Sequence, residues 1–201
     1  MGLPHREPCR GPFSYKEAFR RLIRPLARAL SAMRVRPDAL STTGWTLAVG
    51  AAILFATGYT RAGGAMMLLA GLFDALDGAV ARESNQMSDF GAFLDSTLDR
   101  LSESAVFVGV IFFYVSSSMP YEALLSGLAM TFSLMTSYTR ARAEGLGLQC
   151  EVGLLERAGR VVILSVFSIA GFLTIGVALV AAGALVTTAQ RFLHVRRQTK
   201  T

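Results

Sequence analysis

Four aspartates, Asp74, Asp77, Asp95 and Asp99, stand in two pairs spaced three and four residues apart in a mostly apolar stretch of chain. Three or four residues make about one helical turn, so the members of each pair face the same way from their helix. A carboxylate at the middle of a bilayer costs roughly 2.5 to 3.5 kcal/mol on the insertion scale, and repulsion among four of them adds to that. Divalent cations cancel both penalties. Ligation by oxygen alone selects hard ions, Mg²⁺ or Mn²⁺, over zinc or copper. Gly78 follows Asp77, Ala81 and Arg82 come about a turn later, and Gly91 lies one turn before Asp95. Small side chains let a ligand or a neighbouring helix approach closely. Beside two metal ions, such a groove is a natural seat for a pyrophosphate whose leaving group the ions stabilise, with Arg82 as a charged hydrogen-bond donor. Tight packing between membrane helices also favours Gly and Ala, so the whole array points to a site and no single glycine does.

The elements that hold these residues follow from composition. Of 201 residues, 52% are hydrophobic and 17% charged, outside the usual range of a soluble domain and in keeping with a polytopic all-α membrane protein. The net charge of +6 on so apolar a chain fits anionic headgroups or a cytoplasmic face, not nucleic acid. Cys9 and Cys150 are far apart and lack the spacing of a zinc site or a redox pair. They read as free thiols.

Residues 1–16, with Pro4, Pro8, Gly11 and Pro12, read as a flexible tail and not as a secretory signal. Over residues 17–36, Phe19, Leu22, Ile23, Leu26, Leu30 and Met33 recur at helical spacing while Arg20, Arg21, Arg24 and Arg28 fall largely elsewhere around the helix. This is the pattern of an amphipathic helix lying in the membrane interface, bent at Pro25. Pro37 ends that pattern, and Asp38 or Ser41 can cap a new helix. Apolar segments then run over about 40–59, 63–81, 90–115, 121–138, 161–172 and 175–192. A bilayer core needs about twenty helical residues, so residues 37–195 are expected to form a bundle of six transmembrane helices, followed by a basic tail at 196–201. The fifth span is short unless its helix begins near Leu154 and carries Glu156, Arg157 and Arg160 at the membrane face.

Charge orients the bundle. Nine Lys and Arg residues precede the first span, and Arg82, Arg140, Arg142, Arg157, Arg160, Arg191, Arg196, Arg197 and Lys200 fall on the same side if six spans are counted. That side is expected to be cytoplasmic. Both aspartate pairs then lie just inside the cytoplasmic face, and the short connection around residues 83–88 makes their helices antiparallel neighbours, so the pairs converge.

Asp74-x-x-Asp77-Gly78-x-x-Ala81-Arg82, eight further residues, then Gly91-x-x-x-Asp95-x-x-x-Asp99 resembles the signature of the CDP-alcohol phosphotransferases, with every fixed position filled. The resemblance extends from about residue 20 onward, the family being similar in its interfacial helix, six spans and cytoplasmic active site. It implies transfer of a phosphoalcohol group from a CDP-linked donor, usually CDP-diacylglycerol, to a hydroxyl, with release of CMP. It further implies that Asp74, Asp77 and Asp95 bind two Mg²⁺ or Mn²⁺ ions, and that Asp99 completes the site and acts as general base. Gly78, Ala81, Arg82 and Gly91 would line the cytidine-diphosphate pocket with Asp74. Pro37-Asp38-x-x-Ser41 is similar to a family segment near the nucleotide, with Ser41 in place of the usual Thr, which puts Asp38 and Ser41 in the same pocket. A homodimer in the cell membrane is also implied.

The acceptor is read from Arg140, Arg142, Arg157 and Arg160. This region looks like the phosphatidylinositol-phosphate synthases and their archaeal relatives, whose acceptor is an inositol phosphate, and a phosphate dianion suits several arginines. Arg140 stands where such sequences often have Lys. Positive-inside bias alone would also place four arginines in this loop. Glycerol 3-phosphate, as in phosphatidylglycerophosphate synthases, is the competing acceptor. Membrane prenyltransferases also hold a pyrophosphate on aspartates, but in longer chains with two distant motifs. An ion-coupled transporter would carry its carboxylates near the midplane, whereas these lie near one face.

Overall fold

The computed structural model describes residues 15–33, 37–84 and 88–199. Among them the chain is all α: α1 (Tyr15–Ala32), α2 (Pro37–Ala56), α3 (Thr60–Glu83), α4 (Asp89–Ser116), α5 (Pro120–Glu144), α6 (Arg157–Ile169) and α7 (Leu173–Gln198). Each apolar segment read from the sequence is a helix. α2, α3 and α7 are long and apolar enough to cross a membrane. Of the expected tail over residues 1–16, residues 1–14 lie outside the described residues and Tyr15 and Lys16 open α1, and residues 34–36 at the end of the expected amphipathic segment lie outside them too.

Local chemistry sets the boundaries. Pro37 and Pro120 stand at the first turns of α2 and α5, where a missing N–H leaves no intrahelical bond unmade. Ser88 caps α4, its hydroxyl accepting from the Gly91 N–H at 3.0 Å. α6 starts later than Leu154 because the backbone ahead of it is held elsewhere. Leu154 N–H donates to Gln190 Oε1 and Leu155 N–H to Thr187 Oγ1, each at 2.9 Å, both partners being on α7. Gly153 has φ +152°, and a side chain there would press on Thr187, so only glycine lets this strand of loop lie flat against α7.

α2 packs between α3 and α4, α6 between α3 and α7, and α5 between α4 and α7. The main core joins Phe55 of α2 and Met67 of α3 to Val106, Phe107, Val110 and Tyr114 of α4, Leu164 of α6 and Val177 and Val180 of α7. Close crossings depend on small residues, as membrane bundles require. A Cβ on Gly109 would overlap the Ala52 carbonyl, and one on Gly64 would meet the Ser165 carbonyl oxygen and Ser168 Cβ, both at 2.8 Å. A smaller core seats α1 on the bundle, with Ile23 and Ala27 against Leu40, Leu76, Ala79 and Val80. Arg24 and Arg28 of α1 reach Glu83 at the end of α3, at 2.8 and 3.5 Å.

Candidate active site

α3 carries Asp74 and Asp77 and α4 carries Asp95 and Asp99, and the two helices bring three of these carboxylates to one point. One oxygen from each of Asp74, Asp95 and Asp99 lies within 4.8 Å of the others, and all three residues are half-buried. Asp77 faces differently. It is 4% exposed, and its Oδ2 accepts a 2.6 Å hydrogen bond from the Ser41 hydroxyl on α2. At Gly44, about one turn after Ser41, a Cβ would stand 3.4 Å from the Ala70 carbonyl oxygen and 3.7 Å from Asp74 N, ordinary contact distances that show how close the two helices lie. α2 therefore runs against α3 at the level of the aspartates.

The positive charge at this point comes from α6. Arg157, its first residue, places Nη1 2.6 Å from Asp74 Oδ2 and 2.8 Å from Asp99 Oδ1. One turn further, Arg160 is 2% exposed and forks onto Glu103 of α4, with Nε–Oε1 2.7 Å and Nη2–Oε2 2.8 Å. The four arginines singled out in the sequence thus occupy different surroundings. Arg140 and Arg142 are exposed at the end of α5, Arg140 donating to Glu144 at 2.8 Å. Arg157 lies on the aspartates, and Arg160 is inside a core ion pair.

The remaining sequence candidates lie at the same end of α3 and α4. A Cβ on Gly78 would meet only the Arg82 guanidinium, 3.5 Å away, so that surface is open to a ligand. Ala81 is half-buried and Arg82 exposed. Gly91 supplies the N–H that Ser88 caps. The side chain of Asp38 lies outside the described residues.

Two buried charges escaped the sequence reading. Glu103 continues the Asp95–Asp99 spacing by another turn, which was the available signal. Arg191, inside the last apolar segment, is 3% exposed and donates to Val152 O at 2.8 Å and to Thr136 O, tying the α5–α6 loop to α5 and α7. An apolar groove of about 510 Å³, walled by Leu68, Leu69, Leu72, Val161 and Val162, also reaches Asp74 and Arg157.

A profile of CDP-alcohol phosphatidyltransferases matches residues 34–196. The chain belongs to this family. It is therefore a transferase. It is 37% identical over 193 residues to the archaetidylinositol phosphate synthase of Methanothermobacter thermautotrophicus, covering 92% of this chain and 94% of that protein. It is 35% identical over 194 residues to the phosphatidylinositol phosphate synthase of Mycobacterium tuberculosis, covering 91% and 89%. The crystal structure of the Mycobacterium tuberculosis enzyme with CDP-DAG bound matches with a TM-score of 0.77 at 33% identity, over 87% of this chain and 94% of that one. The same enzyme in complex with manganese and citrate also matches at 0.77 and 33%, over 85% and 87%.

The aspartate cluster fits a divalent metal on its own chemistry. Three carboxylate oxygens are close enough to share an ion, all are hard donors, and the charge they carry is already drawing in a cation, the guanidinium of Arg157.

Proposed function

We propose that this protein transfers the phosphatidyl group of CDP-diacylglycerol, or of an archaeal-type equivalent, to the hydroxyl of inositol 1-phosphate, releasing CMP, in phospholipid biosynthesis. The observation that carries this reading is the meeting of Asp74 of α3 with Asp95 and Asp99 of α4 beside an apolar groove that reaches Asp74. A donor with a charged pyrophosphate and two acyl chains needs both surfaces side by side. The names of the relatives support the inositol phosphate acceptor.

In this reading Asp74, Asp77, Asp95 and Asp99 hold two Mg²⁺ or Mn²⁺ ions, which supply Lewis-acid stabilisation of the pyrophosphate when bound. Asp99 takes the proton of the acceptor hydroxyl as its oxygen bonds to the lipid-side phosphorus, and the bond from that phosphorus to the CMP oxygen breaks. Asp38, Ser41, Gly78, Ala81, Arg82 and Gly91 border the nucleotide. Arg140 and Arg142, exposed at the end of α5, bind the acceptor phosphate together with Arg157 beside the aspartates, whereas Arg160, expected to join them, is buried on Glu103 and has no face to offer the acceptor.

The bundle is proposed to cross the membrane six times. α4 has 28 residues and α5 has 25, about 42 and 37 Å at 1.5 Å per residue, more than a hydrocarbon core of about 30 Å. α6, with 13 residues, is the short member, completed by the loop ahead of it. The basic ends of the helices support placing both termini and the site on the cytoplasmic side, with α1 in the interface and a homodimer as the working assembly.

The test is a competition. Purified protein is given CDP-diacylglycerol with equimolar inositol 1-phosphate, inositol, glycerol 3-phosphate and serine, and the lipid product is identified by mass spectrometry. Phosphatidylinositol phosphate is expected. Phosphatidylglycerophosphate as the main product would assign the competing acceptor.

A further inference from the structure

Glu103 and Arg160 form an ion pair with both partners almost wholly buried, 5% and 2% exposed, one turn beyond the aspartate cluster on α4 and one turn beyond Arg157 on α6. Such a pair is costly to place in an apolar interior, and replacing both partners with hydrophobic residues is often neutral or stabilising. Packing α6 onto α4 therefore does not by itself call for it. Its neighbour Arg157 carries the second observation. Nη1 of Arg157 is committed to Asp74 and Asp99, while its Nε is buried with no hydrogen-bond partner among the described residues. Arg157, Ser102 and Glu103 line one cavity of about 30 Å³, larger than the roughly 10–15 Å³ that a water molecule needs.

We propose that Glu103 is a positioning residue for the metal-binding aspartates, acting through Arg157 as the alternative partner that lets this arginine release Asp74 and Asp99 to a divalent cation. The inference rests on the reading of those aspartates as metal ligands. A guanidinium at 2.6 and 2.8 Å from two of the carboxylates and a cation bonded to the same oxygens at about 2.0–2.1 Å exclude one another by charge and by space. Arginine does not shed its proton to relieve the conflict, so it must turn away. Turning towards an apolar wall would leave a buried unpaired charge, which costs several kcal/mol. Glu103 removes that obstacle. Each of its oxygens accepts one bond from Arg160 and keeps further lone-pair capacity, and the shared cavity has room for a water between it and the buried Nε of Arg157. In the metal-free protein the same arginine holds Asp74 and Asp99 together against their mutual repulsion, so the site stays assembled while it waits for its ions.

The test is the affinity of the full chain for Mn²⁺, read in detergent from the electron paramagnetic resonance signal of the free ion, in the wild type, Glu103→Gln, Arg157→Gln and the double variant. Glu103→Gln is expected to weaken Mn²⁺ binding about tenfold, the size of coupling usual within one charge network. Arg157→Gln is expected to tighten binding, since the competitor is gone. In the Arg157→Gln background, Glu103→Gln is expected to change affinity by less than about twofold, as only its long-range charge is left to act. An equal effect of Glu103→Gln in both backgrounds would show a general structural or field effect and overturn the proposal. If Glu103→Gln does not fold, Arg157→Gln decides alone, and binding no tighter than wild type overturns the exchange. A wild type that binds no Mn²⁺ would sink the metal reading itself and this inference with it.

Discussion

The Ser41 hydroxyl holds Asp77 by a 2.6 Å hydrogen bond, and in doing so sets Asp77 apart from Asp74, Asp95 and Asp99, whose carboxylate oxygens gather within 4.8 Å. Four aspartates that look alike in sequence therefore divide into three convergent acids and one buried acid oriented from α2. Removing the hydroxyl leaves Asp77 with one fewer donor in a site where a hydrogen bond to a charged group is worth about 1.5–3 kcal/mol. Ser41→Ala is expected to lower kcat/KM by about tenfold or more, from the corresponding 1.4 kcal/mol per decade. Ser41→Thr, which keeps the hydroxyl, is expected to stay close to wild type in the same steady-state assay. Equal activity of the alanine variant would show that Asp77 needs no orientation from α2.

In the proposed reaction Asp99 takes the proton. Asp99→Asn is nearly isosteric but cannot accept a proton at neutral pH, and loss of a general base costs about 10² to 10⁴ in rate. Turnover is expected to fall by that amount or more while CDP-diacylglycerol binding, followed by calorimetry, is largely kept. Normal turnover in this variant would remove Asp99 from the role.

Arg140 and Arg142 are exposed at the end of α5, where a soluble anion can reach them even with Arg140 bonded to Glu144 at 2.8 Å, whereas Arg160 is spent inside the bundle on Glu103. Alanine at Arg140 or Arg142 is expected to raise KM for the phosphorylated acceptor about tenfold, in line with one charged hydrogen bond, with KM for the CDP-lipid nearly unchanged. Matching rises for both substrates would place these arginines elsewhere in the reaction. Alanine at Arg160 is expected to act differently, lowering stability by about 3–5 kcal/mol because it leaves Glu103 buried and unpaired, as thermal unfolding in detergent would report.

Gly109 and Gly127 give a matched pair for the bundle. A methyl on Gly109 would strike the Ala52 carbonyl where α2 crosses α4, while one on Gly127 would meet nothing within 4 Å. Gly109→Ala is expected to cost about 1–3 kcal/mol through forced backbone displacement. Gly127→Ala is expected to be neutral or stabilising by about 0.5–1 kcal/mol from helix propensity. Thermal unfolding of both variants in one detergent checks the contrast.

Much of this was legible in the chain because helices announce themselves locally. Asp95 and Asp99 are one turn apart whatever surrounds them, and an apolar run long enough to cross a bilayer has few other uses. What escaped depends on partners distant in sequence. Arg160 and Glu103 are 57 positions apart, and no local spacing tells an arginine that will be buried on a carboxylate from one that will meet substrate. Charge patterning places both on the same side of the membrane and stops there. The start of α6 was hidden for the same reason, being set by Thr187 and Gln190 on α7. Ser41 was found through the family pattern, but its partner Asp77 emerges only when α2 and α3 are laid together at Gly44.

The proposed reaction is a particular bond exchange at phosphorus. CDP-diacylglycerol carrying ³²P only in the phosphate next to diacylglycerol, incubated with the protein, inositol 1-phosphate and Mn²⁺, follows that exchange directly. The label is expected to move entirely into a new inositol-containing lipid, with unlabelled CMP released in equal amount and both products abolished by EDTA. Label recovered in CDP or free phosphate, or transfer that continues at full rate in EDTA, would contradict the account.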